Sequence, residues 1–312
     1  MEILTVVVLY KMPLSDSQAL RSLASGLNSD PGLKDCVEVL LWDNSPERLN
    51  ECEIGFPCRY EHATRNAGVS GAYNGALKIA ANLGCPWLLL LDQDTILPLD
   101  FLRRMLEYVR LVRSRPEIAA VLPTVWVNSR YMFPRRVCFN GTRAYQETFT
   151  GKTREETTTA NSGVLMRVSA LQEIGGYSEE FNFEFSDLYV FHQLHRAGKR
   201  MWVAQDIRLD HKIAITDYGG EFTPERYRRF LVVEDAFVTL YKGTAENAAQ
   251  ALRLLARFSK QLIRYPDKRY ARISLEYFVK KLLVSRTVRL KAWRKNILGQ
   301  ERTDEVPDQW MT

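Results

Sequence analysis

The chain has 312 residues, 46% of them hydrophobic and 26% charged, a balance that excludes a disordered chain, a collagen-like repeat and a disulfide scaffold. Its length suits one large domain or two modest ones. The formal charge of +6 is unevenly spread: residues 222–299 hold 18 Lys and Arg against 6 Asp and Glu, an excess of 12, so the remainder is net acidic.

The opening residues Met1–Thr5 carry no basic stretch before an apolar run, so no secretory signal is expected. Cys36, Cys52, Cys58, Cys85 and Cys138 form no Cys-x-x-Cys pair and read as reduced thiols of a cytoplasmic chain. Leu4–Tyr10 is a β-branched apolar run, predicted as a strand buried on both faces. Helical spacing follows through Leu20, Leu23 and Leu27. Cys36–Trp42 reads as a second strand, closed by the turn-forming Asp43-Asn44-Ser45-Pro46. Ala72–Asn82 has helical spacing, and Trp87–Leu91 is a further buried strand, far too short to span a bilayer. Strand–helix–strand alternation predicts an α/β fold with a mostly parallel sheet flanked by helices.

Further along, Ala119–Val127 and Arg136–Phe139 are predicted strands, and the Thr-rich stretch 150–159 is expected to be a mobile loop. Ala170–Ile174 reads as a short helix ended by Gly175-Gly176, Ser186–Ala197 as a helix stopped by Gly198, and Arg200–Ala204 as a last strand. Thr223-Pro224-Glu225 is a helix start: a capping hydroxyl, proline at the first helical position and a carboxylate at the positive end. Three helices are predicted, over 224–242, 245–263 and 270–296. The expected division is a catalytic domain over 1–216 and a basic helical extension over 217–312.

The sharpest chemical feature is Leu88-Leu89-Leu90-Leu91-Asp92-Gln93-Asp94. A buried strand must leave the sheet before it can carry charge, and ligands of open α/β sheets bind where the strands end. Aspartates at i and i+2 can share a hard divalent cation; the plainer alternative is a solvated strand-end turn. Asp43 ends the preceding strand on the same edge. Between them, Arg65-Asn66-Ala67-Gly68 through Gly71 to Gly75 lets backbone approach a ligand, and its helix is expected to offer free N–H groups. There is no Gly-x-Gly-x-x-Gly and no Gly-Lys-Ser/Thr, which excludes the Rossmann oxidoreductase and P-loop classes. Asp187 precedes a helix in apolar surroundings, where lost hydration would raise its pKa and suit a base; the commoner use of such an aspartate is a helix cap. His211 follows Leu209-Asp210 near a strand end, where a structural role is the commoner one.

In this order the residues resemble the family 2 inverting glycosyltransferases of the GT-A fold, and among them the bacterial rhamnosyltransferases of O-antigen and surface polysaccharide synthesis. Val6–Tyr10, Trp42-Asp43-Asn44-Ser45, Asn66-x-Gly68, Leu91-Asp92-Gln93-Asp94, Asn161-Ser162-Gly163 and Gly175-Gly176-Tyr177 through Asp187 to Arg196-Ala197-Gly198 carry the resemblance. It implies a GT-A catalytic domain with a helical C-terminal extension. It places Asp43, Arg65, Asn66 and Asp92 at the donor nucleotide, and Asp92, Asp94 and His211 around Mg²⁺ or Mn²⁺. Ser162, Gly163 and Ser186 fall on the acceptor side, and Asp187 is the general base. A dTDP- or UDP-sugar donor and a saccharide or lipid-linked acceptor follow, most closely dTDP-rhamnose. Galactosyl, galactofuranosyl or N-acetylglucosaminyl transfer is the alternative, and a non-catalytic sugar-nucleotide-binding protein is a rival of another class. Ser186 and Tyr189 stand where the family usually has acidic residues, and Leu9 and Lys11 where it has Thr and Asn. These changes bear on acceptor and nucleobase choice.

The C-terminal segments Tyr227-Arg228-Arg229-Phe230, Lys280–Leu283 and Arg289–Lys295 interleave cations with apolar residues. That pattern suits peripheral contact with an anionic membrane at its cytoplasmic face; a solvated face on a helical bundle is the other reading. No nucleic-acid module accompanies the charge, and nucleic acid is not an expected partner.

Overall fold

Ile3–Leu9 (β1) is buried along its whole length, as a strand without a polar face requires. Ile3, Val7 and Leu9 enter one apolar layer, while Leu4, Val6 and Val8 enter the other. The computed structural model describes residues 1–49, 54–182, 184–210, 218–220 and 222–300, with side chains to residue 296.

In chain order β1 is followed by Gln18–Ser29 (α1), Val37–Asp43 (β2), Arg59–His62 (β3), Gly68–Asn82 (α2), Trp87–Asp92 (β4) and Phe101–Val112 (α3). Next come Ile118–Val127 (β5), Arg130–Phe133 (β6), Arg135–Cys138 (β7), Gly141–Ala144 (β8), Gly151–Lys152 (β9), Thr157–Thr158 (β10) and Leu165–Arg167 (β11). Val168–Glu173 (α4), Ser186–Arg196 (α5) and Arg200–Asp210 (β12) follow. The main sheet runs β3-β2-β1-β4-β11-β5-β12-β9, with β6 against β5; a smaller sheet runs β10-β7-β8. The β1, β2, β3 and β4 pairings are parallel, as is β5 with β12, while β11 inserts antiparallel between β4 and β5. This is the mostly parallel, helix-flanked α/β sheet predicted, with α1 and α3 contributing to one layer and α2, α4 and α5 to the other.

Register places the chemistry. Leu9 pairs with Asp43 and Val8 with Asp92, so the two aspartates end level on either side of β1.

Four expectations need correction. The stretch 150–159 is no mobile loop. It supplies β9 and β10, and Thr153, Thr157, Thr158 and Thr159 are buried. β12 reaches Asp210 through a register shift against β5 rather than stopping at Ala204. The predicted helix over 270–296 is two helices, Arg269–Leu283 (α8) and Arg286–Gln300 (α9), because Val284 turns extended. Finally α3 was absent from the prediction, although Phe101, Leu102, Met105, Leu106, Val109 and Val112 keep helical spacing and are buried.

The chain divides into two compact units, Met1–Val137 with Thr142–Lys212 and Cys138–Gly141 with Ile213–Thr312. In the second, Pro224–Tyr241 (α6) starts as predicted, Thr223 accepting the Arg226 N–H. With Thr244–Arg264 (α7) and α8 it encloses Phe222, Tyr227, Leu231, Leu254, Tyr270, Ile273 and Tyr277. No helix among the described residues is long and apolar enough to cross a membrane.

Candidate active site

β4 is apolar through Leu91 and becomes charged where it leaves the sheet. Asp92 is half-buried there and Asp94 exposed. The Asp92 N–H donates to Ser162 Oγ (2.9 Å), and its Oδ1 accepts from Tyr73 Oη (3.3 Å). Ser162 is buried and also bonded to Thr95, and Gly163 turns with φ +83° beside Leu209. Both therefore fix the end of β4 from β11's side of the sheet, and the Ser162 hydroxyl is spent within the fold.

From Asp92 a chain of contacts leads to α5. The Tyr73 and Tyr177 rings lie 5.1 Å apart; Tyr177 Oη donates to Asn161 Oδ1 (3.2 Å), and Asn161 Nδ2 to Ser186 Oγ (3.0 Å). Ser186 is buried at the first position of α5, and Asp187 follows it. The helix cap is Phe185, held left-handed (φ +66°), so Asp187 is not the cap that its position allowed; its Oδ1 accepts only from the neighbouring Leu188 N–H (2.7 Å) among the hydrogen bonds described. Loss of hydration, with repulsion from Glu184 and Asp92, raises the Asp187 carboxyl from 3.8 to about 6. Asp92 and Asp187 are thus within electrostatic reach, and both act on the buried phenols of Tyr73 and Tyr177, which lost hydration holds well above 10.

Asp43 is fully buried. Its carboxylate accepts from the N–H groups of Ser45 (2.8 Å) and Leu49 (3.0 Å) and from Tyr60 Oη, so both oxygens are engaged in holding the turn after β2. Burial and Asp43 push the Tyr60 phenol to about 12. Arg65 is exposed, and Asn66 Oδ1 accepts the Gly68 N–H (2.9 Å). His211 lies outside the described residues.

The start of α2 departs from expectation. Its amides are not free: Val69 and Ser70 both donate to Asn182 O (2.9 and 3.2 Å), and Ser70 Oγ donates to Phe181 O (2.8 Å). A Cβ on Gly68, whose φ is +64°, would sit 2.7 Å from that same carbonyl. The glycine thus serves the docking of residues 181–182 onto the helix rather than a bound anion. The sequence assigned no role to Tyr73, Asn74 or Tyr177, although Tyr73-Asn74 sits inside the Gly71–Gly75 run and Tyr177 is part of the Gly175-Gly176-Tyr177 motif. It also passed over Gln93, whose Oε1 accepts the Tyr10 N–H (2.8 Å) and so joins β1 to the Asp92–Asp94 turn.

Among the described residues no three metal-binding side chains cluster. Asp92 and Asp94 nevertheless fit a hard cation: Mg²⁺ characteristically takes one or two carboxylates and completes its shell from water and substrate phosphates.

Residues 22–175 match Glycosyl transferase family 2. Those residues, just under half of the chain, are similar to that family's domain, and the chain is a glycosyltransferase. No curated protein matches its sequence at significance. Among solved structures, it is similar to S. aureus TarS 1–349 at 15% identity and TM-score 0.55, covering 98% of this chain and 90% of that one. The same TarS segment in complex with UDP (13% identity, TM-score 0.54) and with UDP-GlcNAc (16%, 0.53) also aligns over 98% of this chain and over 92% and 90% of those. At these identities the likeness is one of fold. It agrees with a GT-A arrangement of the family 2 domain.

Proposed function

We propose that this glycosyltransferase moves a sugar with inversion from a nucleoside diphosphate donor to an acceptor hydroxyl, with Asp187 as the general base. The reading rests on the Asp187 carboxyl, half-buried and raised to about 6 beside Asp92. At neutral pH it is ionised yet poorly hydrated, which is the condition for taking a proton.

Asp92 and Asp94, with His211 from the resemblance, would hold Mg²⁺ or Mn²⁺. Bound there, the cation supplies charge stabilisation for the departing diphosphate. The turn held by Asp43, with Arg65 and Asn66, cradles the nucleotide; since the Asp43 carboxylate is engaged within the turn, it shapes that cradle through backbone. Ser162, Gly163 and Ser186 position the acceptor side by fixing Asp92 and Asn161. One base deprotonates the hydroxyl as it attacks the anomeric carbon opposite the leaving diphosphate, so a single displacement needs no carboxylate nucleophile.

The donor of choice is dTDP-rhamnose and the acceptor a saccharide, free or lipid-linked, in surface polysaccharide synthesis at the cytoplasmic face of the membrane. A UDP-sugar is the second reading, favoured by the TarS complexes with UDP and UDP-GlcNAc. Residues 1–216 act as the catalytic domain and 217–312 as an extension. The test is a nucleotide-sugar panel with Mn²⁺, scored by thermal stabilisation and product anomer. An inverted glycoside made by the wild type and not by Asp187→Asn is the expected result; a retained anomer or a fully active variant overturns the base assignment.

A further inference from the structure

Nine of the fifteen large hydrophobic side chains exposed among the described residues lie between Leu252 and Val288. On α7 the exposed ones are Leu252, Leu255, Leu262 and Ile263, the last 80% accessible; on α8 they are Leu275, Val279, Leu282 and Leu283, the last also 80%. At 100° per residue each set falls on one stripe.

The two stripes share a side. On α7, Arg257 reaches back to Glu234 of α6, while Asn247, Gln250 and Gln261 reach Lys281 and Ser274 of α8. Continuing round the helix in that same sense, the apolar stripe comes next. On α8, Tyr270 and Tyr277 turn inward with α6's Tyr227, Ser274 and Lys281 stand between α6 and α7 and bond to both, and the apolar stripe again comes next. The four-residue connection makes the helices antiparallel neighbours, so these opposite senses bring both stripes to the side of the pair turned away from α6.

Of the segments expected to meet a membrane, only Lys280–Leu283 reaches this face, through Leu282 and Leu283. Tyr227 and Trp293 are buried, and Lys281 and Arg289 are bound to Asp235 (2.7 Å each) inside the bundle. The surface is the α7–α8 stripe, with Lys260 and Arg264 of α7, Arg272 of α8 and Lys268 of their connection exposed.

We infer that this α7–α8 face lies on an anionic lipid surface, its leucines entering the headgroup boundary and its cations meeting the lipid charge. Residues 244–296 carry 14 Lys and Arg against 3 Asp and Glu. A second copy of the chain would therefore bring like charge to like, whereas an anionic bilayer complements both the apolar stripe and the cations. The inference deepens the proposed location at a membrane and does not depend on the donor, the metal or Asp187.

Full-length protein is sedimented with phosphatidylcholine vesicles and with vesicles containing phosphatidylglycerol. Expected is binding to the second only, weakened by salt, and a loss of about tenfold or more in Ile263→Glu/Leu283→Glu. That variant keeps its helical circular dichroism and its turnover of a water-soluble acceptor. Absence of binding to phosphatidylglycerol vesicles, or undiminished binding by the variant, overturns the inference. So does a wild-type dimer that the variant converts to monomer in light scattering while vesicle binding stays unchanged. If vesicle binding holds and sugar transfer fails, the lipid face stands and the catalytic reading falls.

Discussion

The side chain of Asn74 is paired with the backbone of Tyr177 in both directions, its Nδ2 donating to the Tyr177 carbonyl (2.9 Å) and its Oδ1 accepting the Tyr177 N–H (2.8 Å). These residues lie 103 apart in sequence, and the pairing fastens α2 to the segment that leads into Asp187. A half-buried amide doubly bonded in this way contributes roughly 1 kcal/mol per bond, and more if a partner is left unsatisfied. Asn74→Ala should lose about 2–3 kcal/mol of stability in urea unfolding, and Asn74→Asp, which keeps only the acceptor, should also be destabilised. An unshifted midpoint for Asn74→Ala would count against the fastening.

The Asp187 carboxyl predicts opposite effects on activity and stability. Its pKa is raised from 3.8 to about 6 by lost hydration, so the neutral form is the one the fold favours. The contribution of Asp187 to stability is therefore fully present below about pH 3.8 and is lost as pH climbs through 6, by at most about 3 kcal/mol for a shift of this size. Asp187→Asn escapes that loss: its unfolding midpoint should exceed wild type at pH 8 and converge with it near pH 4. Its transfer rate should fall by at least about 10²-fold. Wild-type transfer should rise with pH through about 6, and a flat profile from 5 to 8 would argue against Asp187 as the base.

The parallel strands were legible because β1, β2 and β4 are short, largely apolar runs, β2 and β4 ending in Asp43 and Asp92, a pattern that survives without tertiary information. Asp92 and Asp94 could be named for the same reason, and Asp187 from its place at the start of a helix in apolar surroundings together with the family resemblance. The path of hydrogen bonds and ring contact between them could not, since Tyr73, Tyr177 and Asn161 meet only after α2, α4 and β11 have packed. The α2 amides illustrate the converse. Their apparent freedom followed from sequence position, and the Asn182 carbonyl that takes them lies over 100 residues away. The buried threonines near β9 and β10 misled for a similar reason, because polar composition says nothing about a sheet edge that will cover it.

Asp94 is exposed at the strand end with oxygen donors suited to Mg²⁺ or Mn²⁺. Asp94→Asn should slow transfer by about 10²-fold or more if the cation supplies several kcal/mol to the leaving diphosphate. Thermal stabilisation by UDP or dTDP should depend on Mn²⁺ in the wild type and lose most of that dependence in the variant. Equal stabilisation with and without chelator would remove Asp94 from metal binding.

Gly75 faces the indole of Trp42, and a Cβ there would fall 2.0–2.9 Å from three ring carbons. A rigid ring cannot yield as a leucine tip can, so Gly75→Ala must shift Trp42, whose Nε1 donates to Asn44 Oδ1 (3.2 Å) beside the Asp43 turn. The variant should be less stable by about 1–3 kcal/mol. Because the strain lands on the proposed nucleotide cradle, KM for the donor should rise more than kcat falls; an unchanged KM would separate that turn from the donor.

In the second unit Asp235 of α6 receives two buried cations, Lys281 Nζ on one oxygen and Arg289 Nε on the other, each at 2.7 Å. Arg289 also donates to the Val284 carbonyl and Arg286 to that of Thr239 (3.0 Å), so this cluster holds the α8–α9 break against α6. Burial pushes the Lys281 ammonium below its usual range, and Asp235 opposes that push. Asp235→Asn would leave both cations without a carboxylate at a cost of about 3–5 kcal/mol. Lys281 can shed its proton while Arg289 cannot. The loss at pH 7 should therefore shrink in part as pH rises through the depressed Lys281 pKa and the ammonium becomes neutral. Lys281→Met added to Asp235→Asn should recover part of the stability already at pH 7, measured as a double-mutant cycle in urea. Strict additivity of the two substitutions would mean that Asp235 and Lys281 do not act as a pair.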